Sequence, residues 1–458
     1  MCNKQKHLLF FILSFLFFSN FVSAQIKISS IQIEGNKKTK PYIILRELPY
    51  HEGDFIRKDS LAILDTTAEQ QLFNTSLFEQ VTVHAEAIDS TQVVIKIHLS
   101  ERWYLFPIPY FRWVDRNFSQ WWNEQNRSLD RVNYGLNLRQ ANVTGNNDKL
   151  TAAFITGYTQ QSILRYQIPF IDKKLRYGLA LGWQNFTQKE INIATRLDKQ
   201  VFYKTQNIIQ EGYRANASLL YRPNLYERHS VQMGIGRNEI SDSAFLYQAS
   251  FLPSLQKTFS YVDLAYSYTH MHFDYNAYPT KGQSTDFMFY QRFSKNSNLS
   301  SIQLRKIWAS PLSKNNFLFF ESNTLVKFLP NQNYTDNKLL GYGNFQISGL
   351  EYYVVEGNAA SIFKASFNHS LGSVTVKNIM NSKKLPFIKY QFWAKAFTNL
   401  GYVYSEKPVN GNRLSNTLIR TAGVGMDIIS IYDFVLKIDY SLNQLGDKGL
   451  YLHGGINF

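Results

Sequence analysis

The sequence predicts an all-β transmembrane barrel of about sixteen antiparallel strands, preceded by a small α/β domain of order β-α-α-β-β. Three observations carry that prediction. Beyond the first 24 residues no apolar run is long enough to cross a bilayer as a helix. Aromatics nevertheless make up 16% of the chain, with 35 Phe and 29 Tyr. From Arg102 onward, short segments of alternating apolar and polar residues follow one another without a convincing helix, and their connections alternate in length. Long ones follow odd-numbered strands (113–130, 185–209, 239–256, 329–359 and 400–414), whereas most connections after even-numbered strands are short. A barrel with long loops on one side of a membrane and short turns on the other has that asymmetry. A large secreted β-sandwich or propeller is the alternative for this composition.

The chain opens with a segment that is not fold. Lys4 and Lys6 precede the apolar run Leu8 to Phe18, and Val22-Ser23-Ala24 offers small residues for cleavage before Gln25. Residues 1–24 therefore read as a secretory signal peptide. Cys2, the one cysteine, falls inside it, which leaves no thiol, disulfide or thiolate metal site for the exported part. The formal net charge of +15 falls to +13 without Lys4 and Lys6. For an exported chain this indicates affinity for anionic lipid or polysaccharide headgroups, and nucleic-acid recognition motifs are absent.

Residues 25–101 have their own texture. Ile28 to Ile33 alternates as a strand and stops at Gly35-Asn36. Pro41 to Leu48 and Lys58 to Phe73 carry apolar residues at helical spacing, and Val81 to Val83 and Val93 to Leu99 alternate again. Two helices on one face of a three-stranded sheet is about the smallest unit that buries a core.

Residues 102–458 supply the barrel. The predicted strands are Tyr104 to Arg112, Arg131 to Gln140, Asp148 to Gly157, Gln161 to Ile168, Leu175 to Gln184, Gln210 to Tyr221, Glu227 to Asn238, Lys257 to His272, Gly282 to Phe293, Ser300 to Ser310, Asn316 to Phe328, Ala360 to Leu371, Phe387 to Asn399, Ser415 to Ile428, Asp433 to Asn443 and Leu450 to Phe458. An even number puts both barrel ends on the side of the N-terminal domain. The connection from Gly372 to Pro386 breaks the length rule.

One long connection is unlike a surface loop. Leu339 to Asn358 is rich in Gly and aromatics with only two charges, Glu351 and Glu356, so it should fold back into an enclosed space. Its core, Ile347-Ser348-Gly349-Leu350-Glu351-Tyr352, resembles the V/I-R-G-F/Y signature of the BamA/TamA superfamily of POTRA-plus-barrel outer-membrane assembly and translocation proteins. Other stretches share the likeness. "IQIEGNKKTK", "LFNTSLFEQVTV" and "VVIKIHLSER" resemble a single POTRA domain, with Ser76 standing where that family usually has glycine. "NVTGNN", "FDYNAYPTKG" and "GVGMDIISIYDFVLKIDYSLN" resemble its barrel turns and late strands.

The resemblance implies a periplasmic POTRA domain that receives polypeptide clients, unfolded or secreted, by strand addition, and a barrel in the outer-membrane lipid bilayer that assists their insertion or translocation. Periplasmic accessory subunits are partners of the same kind, no cofactor or nucleotide is involved, and the substrate's own folding supplies the free energy. A dedicated two-partner-type secretion pore or passive channel is the alternative. The resemblance also implies that the loop tip lies in the lumen, where the family's arginine pairs with an aspartate of an F-x-D-x-G strand. Here those positions are Ser348 and, in Phe397-Thr398-Asn399-Leu400-Gly401, Asn399, so both charges are missing together. Two neutral polar groups avoid a stranded charge, and Ser348 and Asn399 are expected to approach each other.

Chemical motifs are absent. There is no G-x-S-x-G, H-E-x-x-H, P-loop or EF-hand, and the scattered histidines show no ligand spacing. One further feature concerns the first and last strands. Pro107 and Pro109, two apart, delete two donors on one side of the first strand, and Gly454-Gly455 weakens the last before the terminal Phe458. The expectation is a lateral seam there. The other reading puts the prolines in a linker and has the glycines relieve crowding.

Overall fold

The computed structural model describes residues 25–113, 118–124, 126–253, 255–295, 297–329, 333–343, 345–377 and 387–456. The expected signal peptide and Phe458 lie outside them.

The N-terminal domain runs β1 (Gln25–Glu34), α1 (Pro41–Leu45), β2 (Phe55–Arg57), α2 (Leu61–Asn74), β3 (Phe78–Ala87) and β4 (Gln92–Glu101). Its sheet has four strands in the order β2-β1-β4-β3, one more than the sequence predicts. The extra strand is three residues long and pairs Phe55 to Arg57 with Gln25 to Lys27, too short for alternation to register. β1 and β4 pair in parallel, and β3 closes on β4 antiparallel. Pro41 starts α1, where its missing N–H costs nothing. In α2, Ala68 and Leu72 share a face and pack with Ile28, Phe78, Ile95 and Ile97, all fully buried. Ser76, just past α2, has φ +61°, the left-handed conformation in which glycine is usual.

The barrel strands are Leu105–Trp113, Val132–Ala141, Lys149–Gly157, Thr159–Ile168, Tyr177–Gln188, Gln210–Tyr221, Glu227–Ile240, Thr258–Phe273, Gly282–Phe293, Leu299–Ser313, Asn316–Phe328, Ala359–Lys377, Phe387–Tyr404, Leu418–Ile429, Phe434–Asn443 and Lys448–Ile456. They form one 16-stranded antiparallel sheet in sequence order. Leu179, Leu181, Trp183, Leu219, Val231, Met233, Ile235 and Leu304 are exposed on one face, the apolar band a bilayer covers. No described helix is long and apolar enough to cross a membrane.

The stretch 372–386 that broke the length rule is partly strand. Gly372 to Lys377 pairs with Phe387 to Phe392, while the flanking ladders stop at Asn316 with His369 and at Gln391 with Ile429. That hairpin therefore runs past the rim. Among the described residues the connections also hold structure the sequence does not announce: α3 (Phe118–Asn123), three other short helices (Leu129–Arg131, Asp242–Tyr247 and Tyr334–Asn337), and a hairpin of Glu190–Arg196 with Lys199–Lys204.

Candidate functional site

The connection between the eleventh and twelfth strands folds onto the inner wall. Gly349, at φ +94°, lies so close to it that an added Cβ would stand 3.2 Å from Thr421 and 3.3 Å from Ser441 Oγ. Its carbonyl accepts from Asn443 Nδ2 at 2.9 Å and its N–H donates to Glu351 Oε2 at 2.8 Å. Ile347 packs where Gly401 leaves room, and with Leu350 it joins a buried cluster containing Ile362, Val403 and Ile419. Glu351 reaches His453 Nε2 on the last strand at 3.2 Å, and the Tyr352 ring meets Tyr451. The loop is thus fixed to the fourteenth, fifteenth and sixteenth strands.

Ser348 and Asn399 line the same lumenal cavity of about 630 Å³, with Phe397, Glu351, Lys395 and Asp427. Asn399 Nδ2 donates to Thr421 Oγ1 at 2.9 Å, and no hydrogen bond between Asn399 and Ser348 is present among the described residues. The wall itself carries the ion pairs. Lys395 Nζ stands 2.7 Å from both Asp427 and Asp439, and Glu321 lies between Arg305 and Lys364. A Cβ at Gly425 would stand 2.4 Å from Asp439 Oδ1, so the glycine makes space for that pair. The sequence reading missed this cluster. The signal was polar residues confined to positions of one parity in neighbouring strands: Lys395 and Asn399; Thr421 and Asp427; Lys437, Asp439, Ser441 and Asn443.

At the other end the N-terminal domain lies across the barrel base. Lys40 N–H donates to Gly145 O at 3.1 Å, and Asn142 to Thr39 Oγ1 at 2.9 Å. Arg222 forks onto Glu47 at 2.6 and 2.7 Å, and Arg46 donates to the Leu175 and Arg222 carbonyls while stacking on Phe170. Asn74 bridges the turn at Phe273 to Asn276. Asp433, in the turn before the fifteenth strand, accepts from Arg102, Ser76 and Tyr275 at 2.8, 2.9 and 2.6 Å. Glu47 is only 2% exposed. Burial alone would raise its carboxyl pKa, but the Arg222 guanidinium outweighs that and holds it below the usual range.

The outer mouth is spanned as well. The hairpin after the fifth strand ends in a tight turn at Leu197 and Asp198, both at positive φ. Asp198 accepts from the Arg413 and Leu414 N–H groups and from Val354 N–H, which belong to connections on the far side of the barrel. Arg131 pairs with Glu190 at 2.6 Å and Arg292 with Asp336 at 2.7 Å, both buried, and these pairs tie the cap to the barrel strands.

Between the first and last strands, among the described residues, no ladder forms. Pro107 and Pro109 are inside the first strand, opposite Leu138 and Leu136, and not in a linker. Ala141 N–H donates to Tyr104 O, which fixes the phase of the ladder to the second strand. Even-numbered residues from 104 to 112 then face the second strand, and Leu105, Pro107, Pro109, Phe111 and Trp113 face the last. Two of those positions have no donor to give. On the other side, the same reasoning from Asn443 N–H to Asp447 O turns Leu452 and Gly454 toward the seam. A Cβ at Gly454 would meet only Leu436 Cδ1 at 3.8 Å, so space does not require glycine there. Gly455 pairs with Val435 of the fifteenth strand. At the seam's lower end Phe106 packs edge-on against Tyr432 of the turn before the fifteenth strand, and the Trp103 indole donates to Leu105 O within its own segment. At its upper end α3 lies against the last strand.

Among the described residues no three His, Asp or Glu side chains converge as metal ligands. A family model described as POTRA, surface antigen variable number repeat, matches residues 26–102. A sequence search of curated proteins finds no match. Three solved structures are similar over 94% of this chain. BamA from Haemophilus ducreyi lacking POTRA domains 1–3 shares 14% identity over 84% of its own chain, with a TM-score of 0.50. CdiB from Escherichia coli shares 11% over 75%, TM-score 0.53, and CdiB from Acinetobacter baumannii 14% over 73%, TM-score 0.50. At these identities the likeness is one of fold.

Proposed function

We propose that this chain, whose N-terminal domain matches the POTRA family model and whose fold is similar to those of BamA and CdiB, assists the insertion or translocation of polypeptides at the bacterial outer membrane through a lateral seam. The barrel lies in the outer membrane with the POTRA domain in the periplasm. The observation that carries the proposal is the seam itself, where no ladder joins the first and last strands among the described residues and the first strand lacks two of its five seam-facing donors. In hydrocarbon an unmet N–H costs several kcal/mol, so proline is the residue that lets an edge stay open without that penalty. A client strand docking there meets acceptors and side chains along the edge, and no donor has to be satisfied at Pro107 or Pro109.

Two further features favour this route over a passive channel. The outer mouth is spanned by an anchored hairpin, and the POTRA domain lies across the base. The finer step, strand addition to the POTRA sheet, has a condition attached. Edge donors are already capped by carboxylates: Val83 N–H by Glu69 and Ile31 N–H by Glu52, each at 2.8 Å. A client strand must displace them, and the β1 edge from Ile31 to Glu34, guarded by exposed Glu52 alone, is the easier one.

Paired cysteines across the seam test the proposal. In a Cys2→Ser background, outward-facing Phe111→Cys is combined in turn with Leu450→Cys or Leu452→Cys. A disulfide should stop client assembly in cells, and reduction should restore it. Efficient crosslinking with assembly untouched would refute the seam and make the lumen the route.

A further inference from the structure

A cavity of about 340 Å³ lies where the POTRA domain meets the inner wall. Glu47, Gln71 and Asn74 form its POTRA side, and Lys149, Arg222 and Arg228 face them from the periplasmic ends of the barrel strands. Three basic side chains thus share one cavity with one carboxylate. Glu47 is fully engaged by the Arg222 fork. Arg228 Nη1 and Arg222 Nε are buried and meet no acceptor among the described residues. Lys149 forms no ion pair there; the acids whose charge it and Arg228 feel are Asp433 and Glu47, which Arg102 and Arg222 already hold. His229 is occupied by the Tyr266 hydroxyl at 2.9 Å. Asn147 Oδ1, unpaired on the same wall, can take one ammonium proton but brings no charge.

Like charges confined without counter-charge are costly, and they are not needed to hold the domains together, since Glu47 with Arg222 and Asp433 with Arg102 already do that. We infer that this cavity binds a doubly charged oxyanion of the phosphate class, either free phosphate or the phosphomonoester headgroup of a lipid. With all three basic groups protonated, the excess of two positive charges over Glu47 matches a dianion. A guanidinium and an ammonium approaching from different directions match oxygens spread over a tetrahedron better than a planar carboxylate. The cavity is larger than one phosphate, which leaves room for water or an ester oxygen. Because Gln71 stands on the opposite wall, a bound anion bridges the POTRA domain to the barrel.

Isothermal titration calorimetry on the full chain in a non-ionic detergent tests this, with inorganic phosphate as the first probe. Binding is expected, weakened about tenfold or more by Lys149→Gln or Arg228→Gln and retained in Lys149→Arg. Lys204→Gln, exposed on the outer hairpin, should change nothing. A second arm uses dihexanoyl phosphatidic acid, with dihexanoyl phosphatidylcholine as the control. Much tighter binding of phosphatidic acid than of phosphate assigns the site to a headgroup, and equal affinity assigns it to the free ion. Absence of wild-type binding at millimolar phosphate overturns the inference, as does undiminished binding in both glutamine variants. A native heat-modifiable mobility on gels certifies each variant as folded, and the wild-type titration decides even if one is not.

Discussion

Replacing Pro107 and Pro109 by valine returns two N–H groups to the seam side of the first strand. Both residues face outward, where a β-branched side chain suits a lipid-facing strand. In hydrocarbon the new donors have one economical partner, the carbonyls of the last strand. At about 1 kcal/mol net per ladder bond, two bonds favour closure by about 2 kcal/mol, roughly a thirtyfold shift in the open-to-closed ratio. Hydrogen exchange on the detergent-solubilised protein reads this directly: amides of Lys448–Ile456 should gain protection while those of the outer hairpin Glu190–Lys204 stay as they were. Client assembly in cells should slow in parallel. If the double variant folds and the last strand gains no protection, the prolines are not what holds the seam open.

Ser348→Arg should cost about 3 kcal/mol by placing an unpaired cation beside Lys395 and Lys364, and Asn399→Asp in the same chain should recover most of it; thermal melting of both variants checks the order. Glu47→Gln leaves Arg222 uncompensated and should loosen the POTRA domain by about 3 kcal/mol, seen as faster tryptic release. Since the folded-state pKa of Glu47 lies below its ordinary 4.5, the stability it contributes is present above pH 4.5 and lost as the pH falls through the folded value, so wild type should release the domain on acidification below pH 4.5 and the variant should respond less. Ser76→Gly relieves a left-handed backbone but deletes a bond to Asp433, two effects that cancel to within about 1 kcal/mol; Ser76→Ala loses the bond without the relief and should melt lower.

The barrel was legible because each strand shows one face to lipid and one to the lumen, a period-two pattern that survives without any neighbour's help. Gln210–Tyr221, Gly282–Phe293 and Asn316–Phe328 fall where that pattern puts them. What the pattern does not encode is pairing at a distance. The three-residue β2 exists because Gly53, at φ +90°, turns Phe55 back onto β1, and three residues carry no period. The domain-to-barrel contacts are single residues of turns, Asp433 and Arg222 among them, whose partners lie hundreds of positions away. Ser348 and Asn399 were legible as a matched loss of charge. That the lumen keeps its ion pairs on the wall, at Lys395 with Asp427 and Asp439, depends on the closeness that Gly425 permits.

The hairpin pinned at Asp198 bears on the cell as well as on the molecule. A wide pore left open would let large solutes cross the membrane through its lumen. With the hairpin bonded at Asp198 to connections on the opposite wall, the outer mouth is crossed by folded chain, and a large solute entering the lumen from outside has to break those bonds first.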